Sequence, residues 1–258
     1  MRTAGWIATV ALGVVVGIAT GVTFAPASFA DRAVARISDG RLRLADTSGT
    51  VWRGAGRLVL SDPQDSAPRT TLAGVVIPGA IRWQLSPRAL LVGLLDARVE
   101  HESMRRPVLL TGRPGELRLS PASVALPPVQ LDRLGSPWNT IRPTGALSVS
   151  WDNVLLRAGR FEGKALIELQ QVASALTPVR PLGAYQIEVI GAGNQTQLRM
   201  ITLNGPLRLQ GSGTWTARSG LQFVAEAQAD QAEELRLQPL LGLLGRRDGE
   251  RTIIRIGA

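Results

Sequence analysis

From Gly40 onward the chain alternates between apolar and polar positions. Arg41-Leu42-Arg43-Leu44, Glu116-Leu117-Arg118-Leu119, Ala146-Leu147-Ser148-Val149-Ser150-Trp151, Tyr185-Gln186-Ile187-Glu188-Val189, Gln197-Leu198-Arg199-Met200 and Pro206-Leu207-Arg208-Leu209 all show it, and Gly56-Arg57-Leu58-Val59-Leu60 does in part. A period of two places one face of a strand on a core and the other in water. Glycines and prolines punctuate these runs at short intervals, as turns between antiparallel strands require. Several strands open alike, with glycine, one residue, leucine, one residue, apolar, as at Gly40, Gly115 and Gly145, and with a shift at Gly205. The intervals are irregular, so the theme predicts a sheet whose strands begin alike and not a solenoid of fixed period.

Some stretches depart from alternation. Pro26–Ile37 reads as a short helix, with proline near its first turn and abundant alanine. Ser86-Pro87-Arg88-Ala89-Leu90-Leu91-Val92-Gly93-Leu94-Leu95 suits a helix or a strand, and the β-rich context favours a turn followed by a strand. Asp230–Leu244 reads as an amphipathic helix, acidic at its start and stopped by Gly245. Arg246-Arg247-Asp248-Gly249 then turns into a last strand, Thr252–Ile256. Leu126-Pro127-Pro128 and the stretch from Pro137 to Pro143 are the candidates for a midpoint crossing.

Ahead of this body, residues 3–30 carry no charged side chain. The run from Trp6 to Phe24 meets the roughly 20 apolar residues that a membrane-spanning helix needs, with aromatic residues near both ends. A cleavable signal peptide is the rival, with Ala25-Pro26-Ala27 or Ser28-Phe29-Ala30 as small-residue motifs. The apolar stretch exceeds a signal h-region, and Arg2 alone makes a minimal basic region, so a retained anchor is expected. Arg32, Arg36, Arg41 and Arg43 follow the segment, and simple positive-inside counting would place the body in the cytoplasm. That rule weakens for long translocated domains.

Composition narrows the chemistry. There is no cysteine, which excludes disulfides, thiolate metal sites and cysteine nucleophiles. The net charge is +9, almost all of it arginine, with Lys164 the only lysine. These charges are spread along the chain and lack the clustering of a nucleic-acid footprint. His101 is the only histidine. It lies in a polar strand end or loop, and the partners of a triad or a histidine-rich metal site are missing. Gly191-Ala192-Gly193 lacks the third glycine of a dinucleotide fingerprint, and Gly211-Ser212-Gly213-Thr214 lacks the lysine of a P-loop; both read as turns. Trp52, Trp83, Trp151 and Trp215 sit in or beside strand patterns and are expected in packing. No catalytic, cofactor-binding or metal residue emerges, and neither a cofactor nor a small-molecule substrate is expected.

One ordered series of residues carries a resemblance. It runs Gly49-Thr50-Val51-Trp52-Arg53-Gly54, then Ile81-Arg82-Trp83-Gln84-Leu85-Ser86-Pro87, Ala125-Leu126-Pro127, Pro181-Leu182-Gly183-Ala184-Tyr185, and Leu203 to Trp215 including Gly205, Gly211 and Gly213. No single motif is specific, but the series resembles type II secretion system protein N across nearly the whole chain. The signature positions are expected to be structural.

The resemblance implies a single-pass inner-membrane protein of a Gram-negative bacterium with most of its chain in the periplasm. Its role would be that of a non-enzymatic accessory to the export of folded proteins. Partners would be other secretion subunits of the inner-membrane platform, protein C most of all, together with membrane lipid and no nucleic acid. The family is distantly similar to AsmA-like proteins, whose sheets form lipid grooves, which makes lipid binding or transfer the alternative function. The expected organisation is a cytoplasmic tail at 1–5, an anchor at 6–26, a short helix at 27–38 and a β-rich domain at 39–258. The fold class is mainly β: a transmembrane helix, then a curved antiparallel sheet, an AsmA-like groove or open half-barrel, with a few short helices.

Overall fold

The computed structural model describes residues 23–61, 75–128, 141–157, 160–216 and 218–257. Helix α1 (Ser28–Ile37) precedes the hairpin of β1 (Leu42–Gly49) and β2 (Arg53–Leu60). Then come β3 (Val75–Val76), β4 (Ile81–Leu85), helix α2 (Pro87–Leu91), β5 (Leu95–His101), β6 (Val108–Arg113), β7 (Glu116–Leu119) and β8 (Ala122–Leu126). The second half holds β9 (Thr144–Trp151), β10 (Val154–Arg157), β11 (Arg160–Ala173), β12 (Gly183–Ala192), β13 (Gln195–Asn204), β14 (Leu207–Thr216) and β15 (Gly220–Ala229). Helix α3 (Glu234–Leu244) and the hairpin of β16 (Arg246–Asp248) and β17 (Arg251–Ile256) end the described chain.

All these strands belong to one open antiparallel sheet. Its connections are those of a meander: β2 pairs with β1 and β4, β5 with β4 and β6, and each strand from β11 to β14 pairs with the next. Two long strands bend at the middle. β7 and β8 share one antiparallel alignment with β10 and β9, with Leu119 opposite Val154 and Ala122 opposite Trp151. The bend falls at Ser120-Pro121 and Asp152-Asn153, and the Trp151 indole N–H donates to the Ser120 carbonyl there at 2.9 Å. β11 spans the bend, pairing with β10 through Arg160–Glu162 and with β9 through Ala165–Ala173.

Directly paired residues share a face of the sheet. Following the pairs from Leu58 through Ile81, Val99, Leu110, Leu119 and Val154, and from Trp151 through Ala165, Val189, Leu198 and Gly213 to Phe223, traces one apolar inner face. No Asp, Glu, Lys or Arg of β2, β4–β15 or β17 lies on it. Arg82, Arg98, Arg118, Glu188, Arg199, Arg208 and Glu226 alternate onto the opposite face.

Among the described residues, helices cover the two ends of this inner face. At the first, Ala27, Leu44 and Trp83 are buried with Ala30, Val34, Leu58, Ile81 and Val99 around them, so α1 lies over β1, β2 and β4. At the other, Leu237 and Leu240 of α3 are fully enclosed with Val179, Leu182, Leu207 and Ala227. Between the two, Val124, Leu147, Val149, Ile167, Ile187, Val189, Leu198 and Met200 stay half-buried.

The structure departs from the sequence expectations at specific places. Ser86 starts a helix, α2, where a turn and strand were expected: Pro87 takes the first helical position and the Ser86 hydroxyl accepts from Ala89 N–H at 3.4 Å. Gly211–Thr214 lies inside β14 and is not a turn: it pairs with β13 and β15, and Phe223, Ala225 and the β15 backbone fill the space that side chains at Gly211 and Gly213 would need. His101 ends β5 as expected of a strand end, but it is buried on the apolar face. Arg246–Asp248 forms a strand of its own paired with β17. The anchor expected at 6–26 lies outside the described residues up to residue 22, and no helix among the described residues is long and apolar enough to cross a membrane.

Candidate functional site

The Gly49–Gly54 signature is the tight link between β1 and β2. Gly49 has φ +85°, the left-handed region that glycine tolerates. Thr50 N–H donates to the Arg53 carbonyl at 2.9 Å, and Arg53 N–H donates to the Thr50 hydroxyl at 3.2 Å. Trp83 lies over Gly54, where a Cβ would stand 2.4 Å from indole Cζ2. Its Nε1–H donates to the Val51 carbonyl at 3.1 Å, while the Trp52 carbonyl accepts from Leu85 N–H at 2.7 Å. These residues fix the hairpin onto β4.

The second signature group holds the far end. The Arg180–Pro181 peptide is cis, Leu182 is buried in the α3 core, and Gly183 and Gly205 meet so closely that neither tolerates a side chain. The Tyr185 hydroxyl, 2% exposed with its residue, donates to the Leu207 carbonyl at 2.9 Å, and burial pushes its pKa above the ordinary phenol value. Trp215 is exposed near the end of β14.

Trp215 lines a cavity of about 550 Å³ on the inner face, together with Phe161, Val189, Thr196, Leu198 and Leu221. Arg41, just ahead of β1, also lines it and is the one charged residue among its described lining. The curling of the sheet thus brings the first strand's approach to the apolar face of the second half. Sequence reading gave no reason to join Arg41 to Leu198, since they meet only through the bend.

Other concavities lie on the polar face of β13–β15, with volumes of about 890 and 930 Å³. Most of their charged residues are held as surface pairs, Arg208 with Asp230 and Arg251 with Glu226, each at 2.8 Å. His101 is 7% exposed, its Nδ1 accepts from Ser103 N–H at 3.0 Å, and its Nε2 has no partner. No cluster of metal-binding side chains occurs among the described residues. The carboxylates that line these concavities, Glu188, Glu226 and Asp230, are each held in an ion pair, and no nucleophile with a base beside it is found there among the described residues.

The sheet edges are partly closed. Asp31 of α1 accepts Leu44 N–H at 2.8 Å, and Ser38 accepts Leu42 N–H at 3.0 Å, so side chains occupy the outward donors of β1. Arg43 clamps the same carboxylate at 2.9 and 2.7 Å. At the other edge β16 covers Arg251–Ile253 and leaves only Ile254–Ile256 of β17 beyond it. Short or capped edges resist further strand pairing.

A sheet face free of Asp, Glu, Lys and Arg thus lies between two helical covers, and no catalytic constellation is found among the described residues. No match is found among curated proteins or among solved structures. The model of the type II secretion system (T2SS) protein N family, a family of secretion-system components and not of enzymes, matches residues 40–254. The match spans the sheet from the approach to β1 into β17, and the chain belongs to the type II secretion system protein N family.

Proposed function

We propose that this accessory component of type II secretion works through the inner face of its sheet, which receives an apolar segment of an inner-membrane platform subunit. The observation that carries the reading is the half-buried, charge-free surface left between α1 and α3. Buried apolar area contributes roughly 25 cal/mol per Å², so a partner segment laid along it gains more than one paired to the short edge at β17. Protein C is the first partner to seek. An anchor at 6–26 in the inner membrane, with the body in the periplasm, would raise the effective concentration of the domain near other tethered subunits.

A second reading has its own support. The cavity beside Trp215 falls in the size range of small-ligand sites, about 300–1,000 Å³, and pairs an apolar lining with one arginine. An acyl chain with an acidic headgroup would match both parts, which is the lipid-binding alternative.

One experiment separates the two. The full chain, tagged at its C-terminus, is recovered from the native host in mild detergent, and both proteins and lipids are identified by mass spectrometry. Platform subunits in wild type that are lost in Ile167→Glu, with the melting temperature of the variant checked, support the protein reading. Phospholipid retained without those subunits, and lost in Trp215→Glu, supports the lipid reading. Equal capture of platform subunits by wild type and Ile167→Glu overturns face-mediated docking.

A further inference from the structure

We infer that the loops at one end of the first-half strands form a membrane-contacting rim for anionic bilayers. Three loops and the facing ends of β10 and β11 stand side by side there. The 50–52 turn adjoins the 86–94 loop through Leu85 N–H and the Trp52 carbonyl, 2.7 Å apart. The 86–94 loop adjoins the 113–116 turn because Leu95 pairs with Gly112. That turn adjoins the facing ends of β10 and β11, where Arg157 pairs with Arg160 and donates to Glu116 at 3.0 Å.

The 86–94 loop projects an apolar tip from this row. Leu91 is 87% and Val92 71% exposed, with Leu90 at 40% and Leu94 at 36% beside them. Leu90 and Leu91 stand on α2, which buries no residue, so the helix holds these side chains outward and contributes nothing to the core. Large apolar groups held in water in this way mark an interaction site.

Charge around the tip selects the occupant. Arg53, Arg88, Arg113 and Arg160 sit at the ends of the same loops, all exposed and none in an ion pair with a described residue. Glu116 is the one carboxylate in the turns, and Arg118 and Arg157 already hold it. An apolar tip ringed by unpaired arginines matches the boundary between acyl chains and phosphate headgroups, where each basic residue contributes about 1 kcal/mol at an anionic surface.

The course of the chain points the same way. Val51 N–H donates to the Ala25 carbonyl at 2.9 Å, Ala27 N–H donates to the Gly49 carbonyl at 3.2 Å, and Pro26 bridges Thr50. The chain preceding Thr23 therefore joins the domain at this rim. That preceding stretch has the uncharged, apolar sequence and the length for a bilayer, at ~1.5 Å per residue against a ~30 Å core. Anchor, tip and arginines then meet one membrane surface, and the inner face stands upright from it.

The chain has no native cysteine, so single labelling sites are clean. Leu91→Cys and Glu102→Cys place an environment-sensitive fluorophore at opposite ends of β5, about 20 Å apart at ~3.3 Å per residue. Both positions are exposed, so neither change disturbs packing. The full chain is reconstituted in phosphatidylethanolamine–phosphatidylglycerol vesicles containing a nitroxide-labelled lipid. The expected result is at least about twofold stronger quenching at 91 than at 102. Combined Arg53→Gln, Arg88→Gln, Arg113→Gln and Arg160→Gln is expected to reduce quenching at 91 to the level seen in phosphatidylcholine vesicles. Equal quenching at both sites, no quenching at 91, or quenching that survives the four glutamines would overturn the proposal.

Discussion

Replacing Asp31 tests how the sheet protects its first edge. Its carboxylate accepts two hydrogen bonds from Arg43 and one from the outward Leu44 N–H. Hydrogen bonds to charged groups contribute about 1.5–3 kcal/mol when shielded. The Arg43 side chain is 34% exposed, so its share is discounted for solvent screening. A total of about 2–3 kcal/mol for Asp31→Ala follows, which lowers the melting temperature by roughly 4–12 °C in a chain of this size. The Arg43 hydrogen bonds, helped by Leu44 N–H and by the charges of Arg43 and Arg32, hold the Asp31 carboxyl below its ordinary 3.8 against the opposing effect of burial. The unfolded chain therefore binds more protons in that window, so the stabilisation is present above about pH 4 and fades as pH falls through the folded value. Asp31→Asn should remove that segment of the pH profile while its remaining oxygen still caps Leu44. The assay is thermal melting by circular dichroism in detergent between pH 3 and 7, with sedimentation to follow association through the freed edge. A melting point for Asp31→Ala within about 1 °C of wild type, with no added association, would refute the reasoning.

Other residues give independent checks. Tyr185 is the only tyrosine, so ultraviolet titration should show no phenolate near pH 10 in the folded protein. Its raised pKa means that stability declines as pH climbs past 10, and phenolate absorbance should appear together with unfolding. Tyr185→Phe leaves the Leu207 carbonyl without its donor and should cost about 1–2 kcal/mol by chemical denaturation. Gly54→Val sets a Cβ 2.4 Å from Trp83 and 2.7 Å from the Ser48 carbonyl, a clash with backbone that should cost more than about 3 kcal/mol and sharply lower the yield of folded protein. Leu237→Ala opens a cavity in the α3 core and should cost about 2–5 kcal/mol; hydrogen exchange should report faster opening at α3 than at β13.

The sequence alone determined the strand-rich class, because a period of two survives in β7, β9 and β12–β14 whatever those strands pair with. It determined α3 through the leucines at 237, 240, 241 and 244, and it carried the family through the ordered series from Gly49 to Trp215. It misread Gly211–Thr214, because what keeps those glycines in a strand is pairing with β13 and β15, which local sequence does not encode. It left Ser86–Leu95 ambiguous, because a short apolar run has no distinctive period. Only the tertiary structure decided how the alternating faces add up. Alternation says that each strand has an apolar side. Register and the bend at Ser120-Pro121 decide that those sides merge into one surface, that α1 and α3 cover only its ends, and that Arg41 reaches the cavity beside Trp215. Such relations depend on pairings between distant residues, and each strand's pattern is silent about its partner.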